Sequence, residues 1–272
     1  MKPYRSALCR PAAFVALAVA LLVAGCASVN HLREAQAAFS EASALHNQLQ
    51  LATQWEAGPE AVVTNGGAEQ ALQMQVLYGS ALQSLRQLDA DRKQLESDGL
   101  WGVACTLKAL TQWRLGLYNE AVATARQARS EGAKLLPRDD ALLTALPGLV
   151  HNSEALILVK TGTARRLTDQ EFDTARQLLA APGDGALTIL EAARTRPGID
   201  AQLDSYFLQA KLAAHVNLAD LHLRRPDRPR PDSEVAAAKA DLATFLLQVD
   251  AAGLPDTTRA KIADTWRSTL AF

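Results

Sequence analysis

Apolar positions in this 272-residue chain recur at three- and four-residue steps through most of its length, the period that lines up side chains on one face of an α-helix. From 29 to 57 the face is Leu32, Ala35, Phe39, Ala42, Leu45, Leu49 and Ala52, closed by Gly58-Pro59. A turn-rich stretch, VVTNGG, then predicts a loop. A second long helix is predicted over 68–97, with Tyr78, Ala81, Leu82, Leu85, Leu88 and Leu95 on its stripe and Asp98-Gly99 as its stop. Helices over 100–115 and 118–131 follow, separated by Gly116. Beyond them the pattern predicts helices over 138–161, 169–180, 185–195, 199–224, 233–250 and 256–269, punctuated by Gly and Pro. Pro147 is expected to begin a new helix, because proline fits a first turn and disrupts an interior. Asp169 and Ser233 are the expected N-caps of their helices. Short connections between such segments make neighbours antiparallel.

Composition supports an all-α reading. The chain holds 52 Ala and 43 Leu against 4 Ile, with 5% aromatic residues, so strong helix formers dominate and strand formers are scarce. With 49% hydrophobic and 21% charged residues it is a folding, soluble-type composition. A formal charge of −1 offers no basic face for nucleic acid.

The N-terminus has its own pattern. Lys2, Arg5 and Arg10 precede an uncharged run, PAAFVALAVALLVAGC, whose apolar part is shorter than the ~20 residues that span a bilayer; this is the pattern of an export signal. Its end, Val23-Ala24-Gly25-Cys26, resembles the lipobox of bacterial lipoproteins. The resemblance implies that 1–25 is a leader and that Cys26 becomes the first residue, carrying a diacylglycerol thioether and an N-acyl chain; at ~0.8 kcal/mol per buried methylene, such chains anchor a protein stably. In that class an Asp after the Cys favours the inner membrane. Here Ala27 and Ser28 follow, which implies the periplasmic face of the outer membrane. Loss of the leader takes the formal charge from −1 to −4. Cys9 would leave with it, so Cys105 would be the remaining thiol, set in an apolar helical stretch that predicts an inert buried side chain.

An aromatic residue with Ala three positions later occurs at Phe39/Ala42, Tyr78/Ala81, Trp101/Ala104, Tyr118/Ala121, Phe172/Ala175 and Phe207/Ala210. The fullest copy, ALTQWRLGLYNEAVATARQA from Ala109 to Ala128, resembles a tetratricopeptide repeat, a helix-turn-helix unit of about 34 residues. Gly116, Tyr118, Ala121 and Ala128 fall on that family's turn and close-packing positions, while its early aromatic falls on Cys105 and its terminal Pro on Ala133. The resemblance implies one domain over 26–272 built of stacked antiparallel hairpins, a solenoid or compact array, with 26–136 the better repeat match and 137–272 divergent. It also implies that Thr106, Leu110, Trp113 and Arg114 face a concave partner-binding groove.

Common signatures of phosphate loops, metalloproteases and serine hydrolases are absent from the sequence. His215 and His222, seven apart with Asp220 nearby, are read as solvated or singly bonded residues and not as metal ligands. His31/Glu34 and His151/Glu154 are read as surface pairs. RRPDRPRP, Arg224 to Pro231, is read as a solvated, proline-stiffened connector, with lipid phosphates or an acidic partner as the alternative. The expectation is therefore a lipid-anchored scaffold or assembly adaptor that binds an envelope protein. It would need no cofactor or metal and catalyse nothing. Two alternatives remain open. One is a transport accessory, since the length, anchor and repeats also resemble the lipoprotein T-component of TRAP transporters; it would be marked by an apolar pore or cleft. The other is an envelope-polymer hydrolase, marked by titratable groups converging in a pocket.

Overall fold

In the computed structural model, residues 27–46, 67–131, 134–161, 166–253 and 255–270 are described. These are helical with turns and contain no strand, so the protein is an all-α, repeat-like array. Two compact units divide between Leu117 and Tyr118.

The first unit contains α1 over 27–46, α2 (Gly67–Gln87), a 3₁₀ turn (Leu88–Asp91), α3 (Arg92–Ser97) and α4 (Trp101–Arg114). Its core is the predicted stripe: Leu32, Ala35 and Ala42 of α1, and Tyr78, Ala81, Leu82, Leu85, Leu88 and Leu95 are all buried. Phe39 meets Tyr78 edge to face at 5.5 Å, and the Tyr78 hydroxyl lies 3.3 Å from Ser43 Oγ. The single helix expected over 68–97 is broken by the 3₁₀ turn. Asp89 and Asp91 sit in that turn, and both are engaged from elsewhere. Lys108 donates to Asp89 at 2.6 Å, and Ser28 donates to Asp91 at 2.6 Å. Poor helix formers with partners on other helices favour the tighter turn.

The second unit contains α5 (Tyr118–Ser130), α6 (Pro137–Thr161), α7 (Asp169–Ala180), α8 (Ala186–Arg194), α9 (Ala201–Leu223), α10 (Asp232–Ala251) and α11 (Asp256–Thr269). Each helix from α5 to α11 packs on its successor, and α6 also packs on α8 and α9. Of the helices in the described residues, α6 alone is long and apolar enough to cross a membrane. Here it is the hub of this unit, burying Ala141, Leu143, Ala145, Leu146, Leu149, Val150, Ala155 and Val159. Pro147 does not begin a new helix; it lies inside α6. The next residue explains what this stretch achieves. A Cβ on Gly148 would lie 3.1 Å from Ile189 and 3.2 Å from the Ala186 carbonyl, so the missing side chain lets α6 and α8 approach closely.

Two predicted caps are also corrected. Thr168, not Asp169, caps α7, through a capping box in which its hydroxyl accepts from the Glu171 N–H while Glu171 accepts from the Thr168 N–H. Ser233 lies within α10, whose N-cap is Pro231 and carries no side-chain cap. Proline there presets an extended entry that the next residues convert to helix.

Candidate functional site

Of the predicted groove residues on α4, Thr106 is buried, and its hydroxyl donates to the Gly102 carbonyl at 2.9 Å, which takes it out of any groove. Leu110, Trp113 and Arg114 are half-buried. The Arg114 guanidinium lies over the Trp113 ring at 4.2 Å and donates to His46 Nε2 at 3.1 Å. Burial first, and the Arg114 charge second, lower the His46 pKa from 6.5 to about 4. Gly116 ends α4 with φ +76°, and the Leu117 N–H bonds back to Gln112, a left-handed stop at the residue that the sequence places between the two helices. Tyr118 begins α5 half-buried, and Ala121 and Ala128 are fully buried. Cys105 is a buried thiol. Cys26 and the leader lie outside the described residues.

A different place gathers the charged chemistry. Residues 187, 188, 191, 192 and 195 form one face of α8 and its end; they meet Lys211 and His215 of α9 and Ala237 and Asp241 of α10 around a cleft of about 480 Å³. The opposite face of α8, through Ala186, Leu190 and Ala193, is buried in the core. Leu187, Ala192 and Ala237 make the walls largely apolar. Lys211 Nζ, almost fully buried, donates to Glu191 Oε2 at 2.7 Å and to Asp241 Oδ1 at 2.9 Å. His215 Nε2 donates to Asp241 Oδ2 at 2.9 Å. Burial alone raises the Asp241 pKa, but the hydrogen bonds from His215 and Lys211 and their charge outweigh it, so the carboxyl sits below its ordinary value. His215 is 1% exposed, and its Nδ1 has no hydrogen-bond partner among the described residues. The network continues away from the cleft. Arg194 donates to Asp204 at 2.7 Å and to Glu191 at 3.2 Å, and Gln248 donates to Asp204 at 2.6 Å.

His222 forms a second layer. Its Nδ1 lies 2.7 Å from the Arg228 carbonyl and its Nε2 3.2 Å from Glu234, while Arg176 donates to the other Glu234 oxygen at 2.8 Å. Both histidines are therefore buried and not solvated, because α10 covers this face of α9; His215 is singly bonded, one of the two states expected, whereas both ring nitrogens of His222 have partners. Among the described residues no three His, Cys, Asp or Glu are grouped to hold a metal.

Known proteins offer no guide here. The chain matches no family model, no curated protein and no solved structure.

The Arg-rich connector is not a solvated linker either. Arg225 is buried, donating to the Leu167 carbonyl at 3.1 Å and to Asp169 at 2.6 Å and Asp227 at 2.7 Å. Arg228 bonds Asp173 at 2.5 Å and lies over Phe172 at 4.9 Å, and Arg230 donates to the Leu270 carbonyl at 3.1 Å. Hydrogen bonds from Arg225, and its charge, lower the Asp169 pKa. These arginines fasten the start of α7 and the end of α11 to the α9–α10 connection. His151 likewise has a different partner from the one expected, donating to the Asp184 carbonyl at 3.0 Å, whereas His31 and Glu34 do form an exposed pair at 3.4 Å.

Sequence reasoning missed Glu191, Lys211 and Asp241, which read as ordinary polar-face charges on amphipathic helices. A faint signal was present. His215 and His222 on α9, and Glu234 and Asp241 on α10, are each spaced by seven.

Proposed function

We propose that this chain is a lipid-anchored helical-repeat protein on the periplasmic face of the bacterial outer membrane, acting by non-covalent binding as a scaffold or assembly adaptor. The anchor rests on the Val23-Ala24-Gly25-Cys26 sequence. The observation that carries the binding role is the cleft of about 480 Å³ among α8, α9 and α10, apolar on its walls and ion-paired on its floor, within the size range of small binding sites. Titratable groups do converge there from three helices, as a hydrolase would require. Lys211, however, is held between two carboxylates, the hydroxyls of Thr188 and Thr195 donate to backbone carbonyls, and His215 Nδ1 bonds to no hydroxyl among the described residues, so no base is paired with a nucleophile there and the arrangement favours holding a ligand.

The same cleft favours a second reading, a transport accessory of the T-component kind that holds a small or hydrophobic ligand. One experiment addresses both: in-membrane photocrosslinking of the full chain from Thr195, at the cleft rim, and from Trp113. Capture of a defined envelope protein that is lost on filling the cleft by Ala192→Trp supports the adaptor. Capture of small molecules alone supports the accessory, and capture unaffected by Ala192→Trp, Trp113→Ala and Arg114→Ala refutes both sites. Cys26→Ser is expected to abolish lipid labelling and release the protein from membranes; persistent labelling refutes the anchor.

A further inference from the structure

We propose that the outer face of α2 pairs antiparallel with α2 of a second copy of this chain. The helix buries Tyr78, Ala81, Leu82 and Leu85 on one side. Its other side carries a separate stripe, Glu69, Leu72, Val76, Gly79, Gln83 and Arg86, all exposed, with Leu72 and Val76 each 63% exposed. The steps along the stripe are three, four, three, four and three, the heptad spacing by which two helices interlock. Gly79 points to a partner independently. It stands mid-helix, where glycine weakens a helix relative to alanine, and a Cβ there would meet nothing within 4 Å. Nothing inside the chain therefore requires its smallness, whereas at Gly148 the missing side chain is what lets α8 approach α6. A helix that approaches α2 closely from outside does require it.

The charges of the face select a second copy as that helix. From Gln70 to Leu85 α2 has no charged residue, while Glu69 stands in its first turn and Arg86 in its last. The spacing of the stripe reads the same in both directions. A two-fold axis that brings Glu69 against Arg86 of the second copy therefore brings Leu72 against Gln83 and Val76 against Gly79, and repeats all three contacts on the other side of the axis. Val76 then enters the space that Gly79 leaves. Parallel pairing instead sets Glu69 against Glu69 and Arg86 against Arg86, with the helix dipoles aligned in the same sense. Gln73, Gln75 and Ser80, which flank the stripe, are exposed and uncharged, so they oppose no like charges. The pairing uses the first unit alone and does not depend on the α8–α9–α10 cleft.

Sedimentation equilibrium of the full chain in detergent micelles, over a dilution series, is expected to show a monomer–dimer equilibrium. Leu72→Lys is expected to weaken it about tenfold or more, since each copy loses an apolar side chain from the contact. Gly79→Leu, which blocks close approach, is expected to do the same with thermal unfolding no lower than that of the unsubstituted chain. Glu69→Lys alone is expected to weaken pairing about fivefold, and Glu69→Lys combined with Arg86→Glu to restore it. Mild oxidation reads the register: chains carrying Leu72→Cys mixed with chains carrying Gln83→Cys are expected to form a disulfide-linked dimer that neither forms alone. A chain that stays monomeric at every concentration, dimers that survive both Leu72→Lys and Gly79→Leu, a charge exchange that does not restore pairing, or crosslinking in the mixture no stronger than in the separate samples overturns the proposal.

Discussion

His215 on α9 donates to Asp241 on α10 at 2.9 Å, and seven residues further along α9 His222 meets Glu234, which lies seven residues back along α10. The two helices are therefore antiparallel and in register, with a histidine–carboxylate pair in each of two layers. Between and beyond these layers Leu208, Leu212, Ala238, Leu242, Phe245 and Val249 fill the contact. The apolar residues supply the attraction, and the paired charges fix which residues face which, since a shifted register takes Asp241 away from Lys211 and His215 and Glu234 away from His222.

Asp241 is the common acceptor of that floor, so Asp241→Ala is expected to destabilise the protein by about 3 kcal/mol, the usual cost of removing one partner from a buried ion pair. Its folded pKa lies below the ordinary 3.8, so its stabilisation is present above that value and is lost as pH falls through the lower folded value. Urea unfolding of both proteins between pH 7 and pH 3 checks this: the difference is expected to hold near neutrality and shrink in acid. A constant difference contradicts the assigned charge state.

His46 accepts a hydrogen bond from Arg114 and must be neutral to do so. Its folded pKa of about 4 lies below the unfolded 6.5, so its contribution is full above pH 6.5 and is lost progressively as pH falls toward 4. The expected outcome is a His46 ring resonance that titrates near 4, and a loss of stability across that window that is reduced in His46→Gln. Titration near 6.5 contradicts the burial and the Arg114 contact.

Gly148→Val places a branched side chain where even a Cβ lies 3.1 Å from Ile189. Overpacking of this kind costs about 2 kcal/mol. A double-mutant cycle with Ile189→Ala is expected to recover part of the loss, because the space is contested by those two side chains. Independent, additive effects place the strain elsewhere.

Thr168→Ala removes one half of the α7 capping box and is expected to cost about 1 kcal/mol. Asp169→Asn, beside it, leaves the cap intact and loosens Arg225 instead. Hydrogen exchange in the first turn of α7 separates the two: Thr168→Ala is expected to speed exchange at the Glu171 amide, and Asp169→Asn to leave it slow.

The sequence by itself determined the helices and the points at which they end. Glycine and proline act locally, so α7 and α11 occupy the predicted residues, and the stripe from Tyr78 to Leu95 is the buried one. What it could not determine is whatever depends on a partner distant in the chain. The 3₁₀ break at Leu88–Asp91 is set with Ser28 and Lys108, and Pro147 is carried through α6 where Gly148 lets α8 come close. Arg225, which is buried, and Arg228, which is partly exposed, look like solvated charges until Asp169 and Asp173 are brought beside them. Glu191, Lys211, His215 and Asp241 come from three helices, and each fits a polar helix face taken alone. Only the antiparallel register of α9 and α10, fixed by side-chain packing between them, makes one charged floor and a cleft above it.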